Sequence, residues 1–307
     1  MVRDHPSASL MTPTLPIESP SLSVVPLNGL CRVQDFAPLK PWLDLAIPFG
    51  QASFGRDWPI GLEYRKHWEV AQAVRALAIG GAIGPTAEIL GIGAGNEPTI
   101  FCLTNLVKRV FATDLYLAHG WEESANPSML TNPGATWSGR WVRRRLVTQH
   151  MDALDLQYED ETFDGAFSSS SLEHFGDYEA ISASMREAFR VLKPGGVYAI
   201  STEFRLSGPP PGLPGVLMFD RGSWKRTLSA LPPGRWWVPT ALRCRCRQTI
   251  QSSRSPPPPR RSMPTFDYTA RLCGTSCSGR SIHMFVFARE TGFGRASTSP
   301  FESLVDR

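Results

Sequence analysis

Cysteine, long apolar runs and a secretory signal are scarce or missing in this sequence, and each absence narrows the function classes. Six cysteines in 307 residues are too few for the disulfide framework of a small secreted protein, so the composition favours a reducing compartment. No apolar run reaches the roughly 18 residues that a membrane-spanning helix needs. The N-terminal residues also lack the apolar stretch of a secretory signal. We therefore expect a cytoplasmic protein without membrane segments.

Charge and proline are distributed unevenly along the chain. The formal net charge is +4, yet residues 207–307 contain 15 Lys/Arg and only 5 Asp/Glu, so the basic character belongs to the last third. Apolar residues make up 42% of the chain, an ordinary globular value that excludes a coiled coil, a collagen-like chain and wholesale disorder. The 27 prolines exclude regular secondary structure over parts of the chain.

The first part of the chain divides into two segments. Residues 1–45 are rich in Pro, Ser and Thr without sustained periodicity, which predicts a disordered arm. The next segment, residues 46–85, carries apolar residues at three-residue steps, as expected for a helix that packs on a larger body. These residues are Trp68, Ala71, Val74 and Leu77.

Residues 86–220 alternate short β-rich runs with helical stretches, which predicts one α/β domain. The strand candidates are Glu88–Gly93, Arg109–Asp114, Leu146–Asp152, Phe163–Ser168 and Val197–Thr202. The helical candidates are Glu97–Val107 and Leu172–Leu192, with a broken stretch at 115–145. Parallel strands need connections of this length. We therefore expect a doubly wound, mostly parallel sheet with helices on both faces, a Rossmann-like fold, followed by an irregular C-terminal third.

A glycine-rich turn follows the first strand of this series. Gly91, Gly93 and Gly95 remove side chains where backbone amides of the next helix can approach a bound nucleotide. Asp114 ends the second strand, where its carboxylate can accept hydrogen bonds from both hydroxyls of a ribose. The alternative is a tight strand–helix turn with Asp114 as a helix cap. Taken in register, the two features favour a ligand site at the carboxyl ends of the strands.

Two cofactor classes suit this arrangement, the nicotinamide or flavin dinucleotides and S-adenosylmethionine. The dinucleotide pattern G-x-G-x-x-G is incomplete, because its sixth position is Asn96 counted from Gly91 and Pro98 counted from Gly93. Glu97 would repel a pyrophosphate, whereas S-adenosylmethionine has no phosphate. The loop favours S-adenosylmethionine and leaves an NAD-dependent oxidoreductase as an alternative.

Three further motifs follow in order along the chain. They are MDALDL at 151–156, SSSSLEH at 168–174 and RVLKPGG at 190–196. With the glycine loop and Asp114, they make residues 86–206 resemble the class I S-adenosylmethionine-dependent methyltransferases, in particular the type 11 group of small-molecule enzymes. Gly91 departs from that family, which has an acid at this position in contact with the methionine amine; the resemblance assigns this contact to Glu97 or to a water molecule.

The resemblance implies a fold, a cofactor and a set of binding residues. Asp114 matches the ribose-binding acid, and Asp152 and Ala153 match the turn that binds adenine. The cofactor-binding residues implied in full are Gly91, Gly93, Gly95, Glu97, Asp114, Leu115, Asp152, Ala153 and Ser168. The implied activity is methyl transfer from S-adenosylmethionine to a small molecule, such as a saccharide or another metabolite.

His174 is the candidate catalytic residue. It stands at a strand end next to the expected methyl group, and it can take a proton from an oxygen or nitrogen acceptor if its pKa lies near neutrality. Alternatively, Glu173 and His174 merely begin the following helix. The segment 115–145 holds three tryptophans and four arginines, typical of a loop that binds an anionic or sugar-like acceptor or nucleic acid. The alternative is a solvated insertion whose tryptophans pack on the sheet.

The C-terminal third has an anomalous composition. Residues 221–279 form an irregular Arg/Pro-rich segment, and residues 280–307 hold a last strand and a tail. The CxC and CxxxC spacings of its cysteines, without a nearby histidine, argue against zinc, so we expect no metal. Its arginines leave a non-catalytic nucleic-acid-binding protein as a second alternative, although they neither line a helix nor alternate with aromatic residues.

A reading-frame slip offers another explanation of the same segment. A slip in GC-rich coding DNA yields Arg, Pro, Ser, Gly and Cys in this manner. The flanking sequences GVLMFD at 215–220 and RSIHMFVFARE at 280–290 still resemble the methyltransferase family. Resequencing of the codons between them tests this hypothesis. The sequence leaves the oligomeric state open.

Overall fold

The computed structural model describes residues 13–17, 25–48, 50–53, 56–57, 64–206, 215–231, 236–237 and 280–289. Our predictions for the remaining residues lie outside this part of the chain. They include most of the arm before residue 25, the cysteine spacings at 244–277 and the tail after residue 289.

Within the described residues, the chain forms ten strands and five α-helices. The strands are β1 (Gly29–Leu30), β2 (Ala52–Ser53), β3 (Arg56–Asp57), β4 (Glu88–Ile92), β5 (Arg109–Asp114), β6 (Leu146–His150), β7 (Phe163–Ser169), β8 (Leu192–Arg205), β9 (Trp236–Trp237) and β10 (Arg280–Arg289). The helices are α1 (Phe36–Ala46), α2 (Arg65–Ile79), α3 (Pro98–Thr104), α4 (Tyr178–Val191) and α5 (Arg221–Ser229).

Eight of these strands build one mixed sheet. Its order is β1-β10-β8-β7-β4-β5-β6, and β9 pairs with β10 outside this path. Five neighbouring strands are parallel: β8, β7, β4, β5 and β6. In contrast, β10 runs antiparallel to β8, β1 and β9. β2 and β3 form a separate two-stranded sheet. The prediction of a doubly wound, mostly parallel sheet is confirmed.

Two apolar cores cover the two faces of the sheet. Successive side chains of a strand point to opposite faces, and Ile89 accordingly joins the core with α1, α2 and α3, whereas Leu90 joins the core with α4 and α5. β10 divides in the same way, with Val286 in the first core and Phe287 in the second. Because both faces are covered, the side chains free to meet a ligand are those at the strand ends.

The predicted strands coincide with β4 to β8 to within a few residues. β8 is longer than predicted, because its ladder with β10 continues to Arg205. The predicted helix at 172–192 divides in two: a short 3-10 turn covers Leu172–His174, and α4 begins only after Asp177, whose side chain accepts hydrogen bonds from the amides of residues 179 and 180. No helix among the described residues is long and apolar enough to span a membrane.

The prediction of a disordered arm up to residue 45 is wrong for its last part. α1 occupies residues 36–46, with Leu39, Trp42 and Leu43 fully buried against the rest of the first core. Two prolines inside FAPLKPWLDLA weaken the local helix signal. Burial of the apolar side chains on α2 outweighs that cost, because each such side chain contributes roughly 1.5–3 kcal/mol.

The prediction of an irregular segment starting at residue 221 is also wrong at its beginning. α5 starts with a capping box in which Asp220 accepts from the amide of Ser223 and the Ser223 hydroxyl bonds back to residue 220. Trp224 is buried and stacks on Phe285 of β10 at 4.1 Å between ring centroids. Residues 221–231 therefore belong to the fold, and the reading-frame slip stays a prediction. The predicted last strand is present as β10.

Candidate functional site

A cavity of about 550 Å³ opens at the carboxyl ends of β4, β5 and β7. The order of connection reverses between β4 and β7, since the chain continues from β4 to β5 and β6 on one side and from β7 to β8 on the other. Ligands of doubly wound folds bind at such a switch point. The residues that line the cavity are Arg65, Lys66, Gly93, Ala94, Gly95, Glu97, Asp114, Leu115, Trp121, Ser124, Ala125, Met151, Asp152, Ala153, Leu154, Ser169, Ser170, Ser171, Glu173, His174, Phe175, Glu203, Val216 and Met218.

The glycine loop after β4 forms one wall and is fixed from several sides. Gly95 has φ +52°, and a Cβ there would lie 2.1 Å from the carbonyl oxygen of Ser124, so only glycine fits. The amide of Gly95 donates to Asp114 Oδ2 at 2.8 Å, and its carbonyl accepts from the buried Tyr116 hydroxyl at 2.7 Å. The loop is thus preorganised by β5 and by the segment that follows it.

Asp114 ends β5 beside this loop. Its second carboxylate oxygen accepts from the amide of Leu115 at 2.7 Å. Each oxygen therefore retains one lone pair for a further donor, because a carboxylate offers about four acceptor sites. Burial raises the pKa of Asp114, and the two amide donors partly offset that shift. The side chain remains suited to accept two hydroxyl groups.

Glu97 lies deeper in the cavity wall, among other charges. It is only 5% exposed, and its Oε2 has no hydrogen-bond partner in the structure. Its Oε1 lies 4.0 Å from Lys66 Nζ, a distance too long for a hydrogen bond. Burial raises the pKa of Glu97 to about 8, with Lys66 acting in the opposite direction. Free Glu97 therefore holds its proton at pH 7.

Lys66 reaches this region from the first turn of α2. Its Nζ lies 3.5 Å from Glu69 Oε2 and 3.5 Å from the carbonyl oxygen of Ser169. Burial alone would lower the pKa of an ammonium group, but Glu69 and Glu97 together raise the pKa of Lys66 above its ordinary value. Lys66 therefore stays charged and holds the N-terminal turn of α2 against the C-terminal end of β7.

The serine run after β7 has a structural role that includes backbone strain. Ser170 adopts φ +49°, an uncommon conformation for a residue with a side chain that often marks functional sites. Its hydroxyl donates to Glu69 Oε2 at 2.7 Å, and the hydroxyl of Ser171 donates to the carbonyl of Gly93 at 2.5 Å. The run therefore ties β7 to α2 and to the glycine loop.

Two further acidic residues of the cavity lining have polar partners. Glu173 Oε2 accepts from the Thr202 hydroxyl at 2.8 Å, and burial raises the pKa of Glu173 to about 7. Glu203 of β8 forms an ion pair with Arg65 of α2. Both cations that line the cavity, Arg65 and Lys66, are thus engaged by carboxylates.

His174 lies at the mouth of the cavity in the 3-10 turn. Its Nδ1 is 3.0 Å from the carbonyl oxygen of Gly215, and a carbonyl only accepts, so Nδ1 carries the hydrogen. Burial lowers the pKa of His174. The ring is therefore neutral at pH 7, with Nε2 as its proton acceptor. Trp121 packs edge-on against this ring at 4.8 Å between centroids.

The three tryptophans of the segment 115–145 lie in different environments. Trp121 lines the cavity. Trp137 stacks on Phe101 of α3 at 5.4 Å, and Trp141 contacts the same ring edge-on at 5.5 Å. None of the arginines at 140 and 143–145 lines the cavity. One end of the segment therefore lines the cavity and the other packs on α3, while the binding of an acceptor by this segment stays a prediction.

Most of the predicted site residues meet in this cavity. Those that line it are Gly93, Gly95, Glu97, Asp114, Leu115, Asp152, Ala153 and His174. Gly91 and Ser168 do not line it, which corrects their placement in the site. Gly91 lies inside β4, where a Cβ would come within 2.7 Å of Ala94 and Phe167. Ser168 is fully buried one residue before the end of β7, so Ser169 reaches the cavity in its place.

Sequence reasoning missed the contribution of α2 and β8. Arg65 and Lys66 come from a helix assigned only to packing, and Glu203 lies beyond the predicted end of its strand. One signal was available: two basic residues in the first turn of a helix oppose the helix dipole, which indicates that acidic partners compensate them.

Residues 90–200 of this chain match a protein family described as "Methyltransferase domain". Over residues 90–200, which are a little over a third of the chain, the sequence is therefore similar to methyltransferase domains, as the sequence motifs predicted. The cavity lies within this domain and its flanks. Neither an NAD-dependent oxidoreductase nor a nucleic-acid-binding protein finds support in this match.

Individual proteins similar to the methyltransferase domain were also found. The 27-O-demethylrifamycin SV methyltransferase of Amycolatopsis mediterranei (strain S699) is 33% identical over 127 residues, which are 41% of this chain and 42% of that protein. The chain thus matches less than half the length of this curated relative.

Solved structures of methyltransferases are also similar to this chain. A geranyl diphosphate methyltransferase in complex with GPP and sinefungin aligns with 16% identity over 73% of this chain and 78% of its own, at a TM-score of 0.43. A methyltransferase of Methanosarcina mazei aligns with 16% identity over 69% of this chain and 96% of its own, at a TM-score of 0.40.

The lining of the cavity suits the chemistry of S-adenosylmethionine, the cofactor that the sequence motifs predict. Asp114 keeps acceptor capacity for ribose hydroxyls, as its two amide contacts show. Met151, Ala153 and Leu154 supply an apolar wall on which a purine can lie. Gly95 lies beside Asp114 and has no side chain, so the space between Asp114 and this apolar wall stays open.

Proposed function

We propose that this chain transfers a methyl group from S-adenosylmethionine to a hydroxyl oxygen of a small-molecule acceptor, with His174 as general base. The observation that supports it is the convergence of the glycine loop, Asp114, Asp152 and His174 on one cavity at the switch point of the sheet. If these residues had no common function, we would expect them to face different surfaces of the protein.

The cofactor half of the cavity binds by backbone and carboxylate contacts. Asp114 accepts the ribose hydroxyls, and Asp152 faces the exocyclic amine of adenine while Ala153 covers the ring. The side chain of Asp152 already fixes its own turn, because Oδ1 accepts from the amide of Leu154 at 2.9 Å. When bound, S-adenosylmethionine supplies an activated methyl group on a sulfonium.

His174 takes the proton of the acceptor hydroxyl at Nε2. The Gly215 carbonyl holds the ring in the tautomer with the hydrogen on Nδ1, so the basic nitrogen is defined before the acceptor arrives. Trp121 covers one side of the ring and reduces its contact with water. Positioning and desolvation supply the rest of the acceleration, since methyl transfer is an in-line displacement.

The acceptor half of the cavity favours a neutral, hydroxylated molecule. Trp121, Val216 and Met218 give it apolar walls, while Glu173 and the Arg65–Glu203 pair give it hydrogen-bonding groups. Carboxylates outnumber the two paired cations, and this balance disfavours an anionic acceptor. A saccharide or a related hydroxylated metabolite meets these conditions. The Amycolatopsis relative, named for an O-demethylated substrate, supports an oxygen as the acceptor atom.

Calorimetric titration of the full chain with S-adenosylmethionine, its demethylated product S-adenosylhomocysteine and NAD tests the cofactor assignment. We expect the first two to bind with Kd in the micromolar range, roughly −8 kcal/mol, and NAD not to bind. Asp114→Asn should weaken S-adenosylhomocysteine about 10- to 100-fold, because it loses charge-assisted hydrogen bonds to the ribose.

Asp155→Asn is the matched control for Asp114→Asn. Asp155 is exposed and does not line the cavity, so its replacement should leave binding unchanged. Tight binding of NAD, or equal effects of the two substitutions, would contradict the proposed function.

A further inference from the structure

We propose that Glu97 binds the ammonium group of the cofactor's methionine moiety, in place of an acid at the end of β4. This inference rests on the proposed function. It assigns one side chain of this chain to one group of the ligand.

The end of β4 carries no side chain that could perform this task. Gly91 occupies the position where the resemblance to the family predicts an acid, and Ala94 and Phe167 pack so closely around it that no carboxylate fits. The same strand end therefore offers the ligand only backbone groups, while a cationic ammonium group calls for an anionic partner.

Glu97 supplies a carboxyl group from the other end of the same loop, and this group becomes anionic when it gives up its proton to bind a cation. It lines the cavity, and its Oε2 is buried without a hydrogen bond of normal geometry, although the nearby Ser169 hydroxyl lowers the pKa of the carboxyl group. Buried polar atoms in native proteins almost always have partners, so an unpaired one calls for a ligand group. The terminal torsion of a glutamate is broad, which lets either carboxylate oxygen turn toward the cavity.

The neighbours of Glu97 leave room for a second cation. Lys66 approaches only the other oxygen, at 4.0 Å. Lys66 is itself shared with Glu69, which accepts hydrogen bonds from the hydroxyls of Ser170 and Ser201. The charged groups that act on Glu97 are Lys66 and Glu69 from α2 and Asp114 from β5. Glu69 already pairs with Lys66, so an ammonium group bound beside Glu97 would favour loss of the proton from Glu97 and pair with its carboxylate.

A comparison of two nucleosides isolates this contact. S-adenosylhomocysteine carries the amino acid moiety, whereas 5′-methylthioadenosine has the same adenosine and thioether without it. Glu97→Gln should weaken S-adenosylhomocysteine roughly 10- to 100-fold, the range for a lost charged hydrogen bond, and leave 5′-methylthioadenosine unchanged. Both are measured by calorimetry on the full chain, together with the thermal midpoint of each variant.

Proton exchange provides a second readout. Because burial keeps Glu97 protonated at pH 7, binding of an ammonium group should release a proton from it. Titrations in phosphate and in Tris should therefore give different enthalpies for S-adenosylhomocysteine. The difference should be smaller for Glu97→Gln and for 5′-methylthioadenosine.

Two controls separate the possible failures. Glu88→Gln makes the same chemical change at the far end of β4, in a surface pair with Lys108, and should alter neither ligand. Glu97→Asp keeps the charge and should retain part of the affinity. Absence of nucleoside binding to the natural sequence would overturn the proposed function itself. Equal losses for both nucleosides, or no loss for S-adenosylhomocysteine, would overturn the assignment of Glu97 alone.

Discussion

His174 combines three features that a general base needs. Its hydrogen bond to Gly215 fixes the tautomer, its pKa is lowered by burial, and it lines the cavity. A base with a pKa somewhat below the working pH is unprotonated most of the time and still accepts a proton. The contact with Trp121 links its environment to the segment between β5 and β6.

Substitution His174→Gln tests the role of this histidine. We expect methyl transfer to fall about 10²- to 10⁴-fold, while S-adenosylhomocysteine binding stays unchanged, because the imidazole acts on the acceptor alone. The rate of the natural sequence should fall as the pH drops through the lowered pKa of His174, since protonation removes the base. A steady-state rate profile across pH and a calorimetric titration give the two measurements.

An NMR titration of the histidine ring protons checks the same pKa without an acceptor. The resonance that disappears in His174→Gln should titrate below the ordinary value of about 6.5. A midpoint above this value would contradict the lowered pKa.

The part of the site that the sequence predicted is the part built from local motifs. Gly93, Gly95 and Asp114 act through the loop that contains them or through the adjacent strand, so their spacing carries the information. Arg65 and Glu203 are 138 residues apart and meet only because α2 lies over the ends of β7 and β8. No local pattern encodes such a meeting.

Among the secondary-structure elements, those with clear periodicity were predicted and those with conflicting signals were not. The central strands alternate with helices, and their apolar runs are unambiguous. α1 carries prolines that argue against a helix, and α5 stands in a basic, Pro-rich context that hides it. In both cases tertiary burial decides, through Leu39 and Trp42 in α1 and through Trp224 in α5.

Trp224→Ala tests whether α5 belongs to the fold. Trp224 is 3% exposed and stacks on Phe285, so its truncation should lower the free energy of unfolding by about 3–5 kcal/mol. Urea denaturation followed by circular dichroism measures this change. Lys225→Ala, on the exposed side of the same helix, should change it by less than about 0.5 kcal/mol. Similar small effects for both would mean that α5 does not pack on the sheet.

The protein as a whole carries several buried acids around one cavity, and this arrangement links stability to pH. Burial raises the pKa of Glu173 to about 7 and that of Glu97 to about 8. A carboxyl group whose pKa is higher in the folded state stabilises that state while it is protonated. The contribution is complete below the unfolded pKa and is lost as the pH rises through the folded pKa.

The free energy of unfolding should therefore decrease as the pH rises from about 4.5 to about 8, by on the order of a few kcal/mol. Glu97→Gln should reduce this decrease, because the amide does not ionise. Chemical denaturation at a series of pH values measures both slopes. A stability that rises over this range in the natural sequence would contradict the raised pKa values.

The pairing of β10 between β8 and β1 also affects how the chain is made. Asn28 accepts a hydrogen bond from the amide of Val286, across 258 residues of sequence, so β1 can pair only after β10 has been synthesised. During translation the edge of β8 has no strand beside it until β10 leaves the ribosome. An open edge of this kind is a template for aggregation. The yield of correctly folded protein in a cell should thus depend on how quickly the ribosome passes the Arg/Pro-rich codons that precede β10.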